Sequence, residues 1–147
     1  MALRLQKKNI NLVYGHINNV SYYINIITKI FLTGTCVFSN GNLLTESGNL
    51  AVAIFANNYR KPTYLVSGCF KFSEKTQIDN LSINESSVIT SADSQYQVYD
   101  LKYDLIPNKY ISLMVTEIGL MPVTCVPVVL RELKLDFEKV TYSEDAI

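Results

Sequence analysis

The chain has 147 residues, 48% of them hydrophobic, with 13 basic and 13 acidic side chains and a formal charge of zero. That is one domain's length, enough to bury roughly two-thirds of the surface the unfolded chain exposes. Zero net charge removes the global field that would gather nucleic acid or an anionic membrane surface, so neither is an expected partner.

Residues 1–9 read as a basic N-terminal arm, with Leu3 and Leu5 alternating against Arg4 and Gln6 and followed by Lys7 and Lys8. An edge strand, an arm reaching a neighbour and a solvated terminus all fit. The opening lacks the apolar core and small-residue cleavage site of a signal peptide, which predicts cytoplasmic synthesis without export.

Residues 10–140 read as a single β domain. Ile10, Val13, Ile17, Val20, Ile24, Ile27 and Phe31 recur at helical spacing, yet the same stretch is rich in Asn and β-branched residues, which are poor helix formers. Asn18-Asn19 also suits a two-residue turn. Residues 10–31 are therefore either two strands or one helix, and strand-turn-strand is the reading carried forward.

Ile26 to Phe38 alternates as a strand, SNGN at Ser39 to Asn42 marks a turn, and the continuous apolar run Asn49 to Ala56 reads as a strand covered on both faces. Thr63 to Phe72 is a further strand with Gly68 as a bulge, Ser87 to Thr90 a short one, and Tyr96 to Leu105 a half-buried one. In the last of these Asp100, Lys102 and Asp104 fall on one face, which reads as a solvated row of charge. Tyr110 to Leu130 is the longest nearly uncharged run, and Gly119, Pro122 and Pro127 argue against a membrane helix. It reads as a core hairpin turning near Gly119 to Pro122, with Val123 to Leu130 as the returning strand. Leu133, Leu135 and Phe137 suggest a last strand, and residues 141–147 an acidic C-terminal tail. The expected fold class is all-β, a jelly-roll-like sandwich or barrel of about eight short antiparallel strands with little helix.

Groups that could carry chemistry are few. His16 is the only histidine, beside Gly15 in an apolar segment, and reads as structural. Cys36, Cys69 and Cys125 are odd in number, far apart and set in apolar or alternating runs, which reads as buried thiols in a reducing compartment. No nucleophile elbow, phosphate loop or metal-ligand spacing appears, so no catalytic, metal or cofactor residues are assigned, and no enzyme is expected.

Ten Tyr with six Phe and no Trp suggest a contact surface instead. The candidate interface residues are Arg4, Lys7, Lys8, Tyr59, Arg60, Tyr96, Tyr99, Tyr103, Glu144 and Asp145, with the basic start of one copy meeting the acidic end of the next. The functional expectation is a non-catalytic structural subunit, packed against copies of itself or other structural proteins in a virion ring, shell or fibre collar and located there. The alternative is a β-sandwich binding a glycan or small apolar ligand through Tyr59, Tyr96, Tyr99 and Tyr103.

Overall fold

A computed structural model of the chain describes residues 2–78 and 101–134, together with the backbone of residues 88–89 and 98–99. The architecture is mixed α/β. The elements in order are α1 (Ala2–Gln6), α2 (Val20–Tyr23), β1 (Ile30–Thr33), β2 (Cys36–Phe38), β3 (Leu43–Glu46), α3 (Asn49–Asn58), β4 (Thr63–Val66), β5 (Phe72–Ser73), β6 (Val88–Ile89), β7 (Val98–Tyr99), β8 (Tyr103–Ile106), β9 (Leu113–Val115) and β10 (Leu120–Met121). Residues 126–134 form a further helix, α4.

Two four-stranded sheets organise these elements. Sheet A has the order β1-β4-β9-β10, and sheet B the order β5-β2-β3-β8. In sheet A, β1, β4 and β9 run parallel, with Leu32 opposite Leu65 and Leu65 opposite Met114, and only β10 is antiparallel. Parallel neighbours require crossovers, and α3 lies in the connection from β1 to β4. The all-β expectation is thus corrected to a mixed α/β fold. Alternation in a sequence marks a strand but not the direction of its neighbour.

Three segments account for the error. Asn49 to Ala56, expected as a strand, belongs to α3, because a continuous apolar run satisfies a buried helix as well as a buried strand. Ala53 and Ala56 are fully buried, their three-residue spacing placing both on the face that meets the core. Val123 to Leu130, expected as a strand, is a 3-10 turn (Val123–Cys125) leading into α4. Val123, Val126 and Val129 are its buried positions, and Pro127 is tolerated because the first helical turn has no partners for its N–H groups. Residues 10–31 are neither two strands nor one helix. They hold a 3-10 turn (Ile17–Asn19), the single-turn α2 and irregular backbone before β1.

The arm at residues 1–9 contains α1 in place of an edge strand. The strand from Ile26 to Phe38 divides into β1 and β2 at Gly34, where an added Cβ would stand 2.0 Å from Leu43 Cδ1. The turn at Ser39 to Asn42 is present, with Gly41 at φ 79° and the Phe38 N–H donating to the Asn42 carbonyl. Leu133 and Lys134, expected to open a last strand, lie in α4 instead, while Leu135, Phe137 and the acidic tail lie outside the described residues. Among those residues no helix is long and apolar enough to cross a membrane.

One core joins the two sheets. Ile30, Leu32, Leu65 and Met114 from one face of sheet A meet Val37, Leu43 and Ile106 of sheet B, with Ala53 and Ala56 of α3 and Val126 of α4 between them. Burial of these side chains, at about 25 cal/mol per Å² of apolar surface, is the main force holding the sheets together. Asp104 departs from the expected solvated row. In β8 it stands opposite Thr45 and turns toward α3, where its carboxylate accepts hydrogen bonds from the backbone of Gly48 and Leu50.

Candidate functional site

The strands of sheet A have one face in the core and one outside it. Along β1, Ile30 and Leu32 are buried and Phe31 and Thr33 exposed; along β4, Thr63 and Leu65 are buried, Tyr64 is half-buried and Val66 exposed. The register carries this alternation across the sheet. Thr33, Val66, Val115 and Leu120 make one outward row, and Phe31, Tyr64 and Leu113 the next. Most of these residues are apolar. Phe31 is 62% exposed, Leu120 68% and Val66 42%, and the Phe31 and Tyr64 rings stack with centroids 5.5 Å apart.

Parallel strands are normally covered on both faces, because crossover helices lie on each side. Among the described residues nothing covers the outward apolar face, where Phe31, Val66 and Leu120 are exposed. The segment leading into it has the same character. No described residue before Ile24 is buried, and Val13, Tyr14, Tyr22 and Ile26 are all exposed. Val13, Ile17, Val20, Tyr23 and Ile27 line an open apolar cavity of about 470 Å³ that also includes His16. The imidazole is exposed, its Nδ1 accepting a hydrogen bond from the Asn18 N–H at 3.4 Å.

A polar cleft lies at the carboxyl ends of β1 and β3, where open α/β sheets place their ligands. Thr33, Gly34, Thr35, Thr45, Glu46, Asn49 and Lys71 line about 340 Å³. The Lys71 ammonium donates to the Gly34 carbonyl at 2.8 Å, and the Asn49 amide donates to Thr45 Oγ1 at 2.8 Å. At the end of β4, the Cys69 N–H donates to Glu117 Oε1 at 2.8 Å. Hydrogen bonds from its own backbone N–H and from that of Cys69 hold the Glu117 carboxyl below the usual glutamate range. Burial pushes the Cys69 thiol up, and the adjacent Glu117 charge adds to the effect. Cys36 is also raised by burial, which outweighs the opposing Ser73 hydrogen bond and Lys75 charge. Neither thiol is poised as a thiolate nucleophile. Among the described residues no group of three His, Cys, Asp or Glu could hold a metal ion.

The described members of the expected interface set lie on separate elements. Arg4 lies on α1, with Lys7 and Lys8 just after it, all exposed. Tyr59 caps the carboxyl end of α3, followed by Arg60 at φ 53°. Tyr103 is in β8 opposite Glu46, half-buried. Tyr99 pairs with Val88 through its backbone in β7. Tyr96, Glu144 and Asp145 lie outside the described residues. Sequence reasoning missed the outward face of sheet A, although apolar residues at consecutive positions in Ile30–Thr33, Thr63–Val66 and Leu113–Val115 were its signal.

Comparison with known proteins supplies the family. The model of the Initiation factor 2 subunit family matches residues 1–123. The chain is 31% identical over 148 residues to "Translation initiation factor eIF2B subunit delta" of Dictyostelium discoideum, a match covering 88% of this chain and 24% of that relative. It superimposes on the tetrameric eIF2B-beta2-delta2 complex from C. thermophilum with a TM-score of 0.70 at 21% identity, covering 88% of this chain and 38% of that one. It also superimposes on 5-methylthioribose 1-phosphate isomerase from Pyrococcus horikoshii OT3 with a TM-score of 0.66 at 17% identity, covering 88% and 40%. The chain thus spans about a quarter of the length of the curated relative. These matches overturn the expectation of a virion structural protein and its placement in a virion, and leave the glycan-binding sandwich without its fold. The physical reason for the error is that scarce catalytic groups and abundant apolar surface describe any assembling domain.

Proposed function

Because the chain belongs to the Initiation factor 2 subunit family, we propose that it is a non-catalytic, assembly-forming domain of a translation initiation factor subunit, whose partners are other subunits of the same family. The observation that carries this reading is the open apolar face of sheet A, with Phe31, Val66 and Leu120 exposed on one surface. A parallel sheet is stable in water when that face is covered, and an assembling subunit covers it by packing, with the remainder of its own subunit or with a neighbouring one. A solved structure with the same fold is a tetrameric eIF2B-beta2-delta2 complex, which supports a heteromeric setting. The raised thiols of Cys36 and Cys69 favour a regulatory domain over one acting through a cysteine nucleophile, as does the lack of a histidine at the carboxyl-end cleft.

Co-expression with a beta-type subunit of the family, followed by size-exclusion chromatography with light scattering, tests the reading. A heteromeric complex is the expected result. A chain that elutes alone and monomeric at every concentration would overturn it.

A further inference from the structure

The turn between β2 and β3 carries Asn40-Gly41, the only Asn-Gly pair in the chain. A glycine has no Cβ to block the approach of its backbone nitrogen to the preceding side chain, so this pair is the one most open to cyclisation with loss of ammonia. Every other asparagine is followed by a residue whose side chain hinders that attack.

The fold engages both reacting groups. The Gly41 N–H donates to the Phe38 carbonyl at 2.8 Å. Asn40 Oδ1 accepts from the Asn42 N–H at 3.1 Å, and Asn40 Nδ2 donates to the Gln77 carbonyl at 2.9 Å. Asn42 Nδ2 donates to the same carbonyl at 2.8 Å, and the Ser39 N–H donates to the Lys75 carbonyl at 3.1 Å. Asn108 Nδ2 holds the Asn40 carbonyl at 2.9 Å from the other side. The carboxamide is therefore fixed to residues 75–77, which continue the edge of sheet B past β5. That edge is lightly held. β5 is two residues long and outermost in sheet B, and Glu74, Lys75 and Thr76 are exposed, so few buried contacts oppose its opening.

We propose that Asn40 is a modification site, converted to aspartate or isoaspartate, which docked residues 75–77 keep closed and which opening of the sheet B edge releases. Once the edge lifts, the Gly41 nitrogen gives its proton to solvent base and bonds to Asn40 Cγ. The Cγ–Nδ2 bond breaks, ammonia leaves, and water opens the resulting succinimide at either carbonyl. The product places a carboxylate where an amide donor stood. Its oxygen faces the Gln77 carbonyl with no proton between them, and Asn42 Nδ2 alone remains to hold that segment. Isoaspartate also adds a methylene to the main chain of the turn. The modification thus keeps open an edge that has stayed open, and its extent records the time spent in that state.

Incubation of the full 147-residue chain at mildly alkaline pH, with peptide mass spectrometry and isoaspartate detection, tests the inference. Deamidation is expected at Asn40 ahead of every other asparagine, and more slowly in the folded chain than in urea by about tenfold or more, because reaction requires opening. Asn42→Ala, which removes a donor to Gln77, is expected to speed the reaction several-fold in the folded chain and to leave the rate in urea unchanged. Ser39→Ala, which removes only the hydroxyl bond to the Lys75 carbonyl at 3.2 Å, is a milder second variant with the same expected direction. Asn40→Asp is expected to speed hydrogen exchange of the Ser39 amide while the Ser112 amide, bonded to the Thr63 carbonyl in sheet A at 2.8 Å, exchanges as before. Equal rates in the folded chain and in urea, absence of the reaction even in urea, or folded Asn42→Ala and Ser39→Ala that react no faster than the unsubstituted chain each overturn the proposal. So does an Asn40→Asp chain whose Ser39 amide is protected as well as before.

Discussion

The carboxylate of Asp104 accepts hydrogen bonds from the backbone N–H of Gly48 at 2.7 Å and from that of Leu50 at 3.1 Å, so a strand residue closes the amino end of a helix that begins 55 positions earlier. Helix α3 has no cap of its own, since Gly48 stands at its N-cap with φ 99° and no side chain to offer. Asp104 supplies the acceptor and a negative charge at the positive end of the helix dipole. Asp104→Ala should lower stability by about 1–2 kcal/mol, measured by urea denaturation. Asp104→Asn, which keeps one acceptor oxygen, should lose less. Hydrogen exchange should show the first turn of α3 opening most.

Two buried threonines should respond in opposite ways to loss of their hydroxyl. Thr45 Oγ1 donates to the Thr33 carbonyl at 3.0 Å and accepts from Asn49 at 2.8 Å. Thr63 Oγ1 is buried and finds no partner among the described residues. Thr45→Val should cost about 1–3 kcal/mol because it removes the donor to the Thr33 carbonyl and leaves the Asn49 amide with only the Glu46 carbonyl as acceptor. Thr63→Val should be neutral or stabilising, since it removes a desolvated hydroxyl that gains nothing. Thermal midpoints of the two single variants decide the matter.

Gly34 separates β1 from β2 where the backbone passes close to sheet B. A Cβ there would meet Leu43 Cδ1 at 2.0 Å and the Leu44 carbonyl oxygen at 3.1 Å, while Lys71 holds the Gly34 carbonyl from the other side. Gly34→Ala should therefore destabilise by about 1–3 kcal/mol through overpacking. Relief by an added Leu43→Ala substitution, read as a positive coupling in a double-mutant cycle, identifies the contact.

The Glu117 carboxyl is held below the usual range by backbone N–H donors. A group whose folded value is depressed contributes stability above its unfolded value, near 4.3 for glutamate, and that contribution disappears as pH falls through the folded value. The Cys69 amide resonance should therefore shift in an acid transition below about pH 4.3, and Glu117→Gln should abolish that transition. The thiols run the other way. Cys36 and Cys69 are raised, so whatever stability they add is present below their unfolded value and is lost as pH climbs through the folded one. Alkylation at pH 8 should be slower in the folded chain than in urea at both positions.

Much of sheet A was legible in the residues. Alternation located β1, β4 and β9, Gly119 marked the turn into β10, and the Ser39 to Asn42 turn stands between β2 and β3. Their pairing was not, because a period of two is the same for parallel and antiparallel neighbours. The apolar residues on both sides of those strands were the clue, since strands covered twice belong to parallel sheets. α3 and α4 were hidden by Ala-rich and Val-rich runs that fit either period, and α4 also by its prolines. Asp104 was misplaced because Tyr103 and Leu105 looked like the inward set, whereas Asp104 shares a face with Thr45. The pattern signalled an apolar outward face but not whether it is covered. A sequence shows that Phe31 and Val66 want cover, but only coordinates show that the described chain does not provide it.

The cap on α3 also orders events during synthesis. A ribosome delivers Gly48 and Leu50 well before Asp104, so the helix must wait, incompletely anchored, until the strand bearing its acceptor has emerged. Nascent chains halted before residue 104 should accordingly be protease-sensitive across the α3 segment, and those extended past β8 resistant.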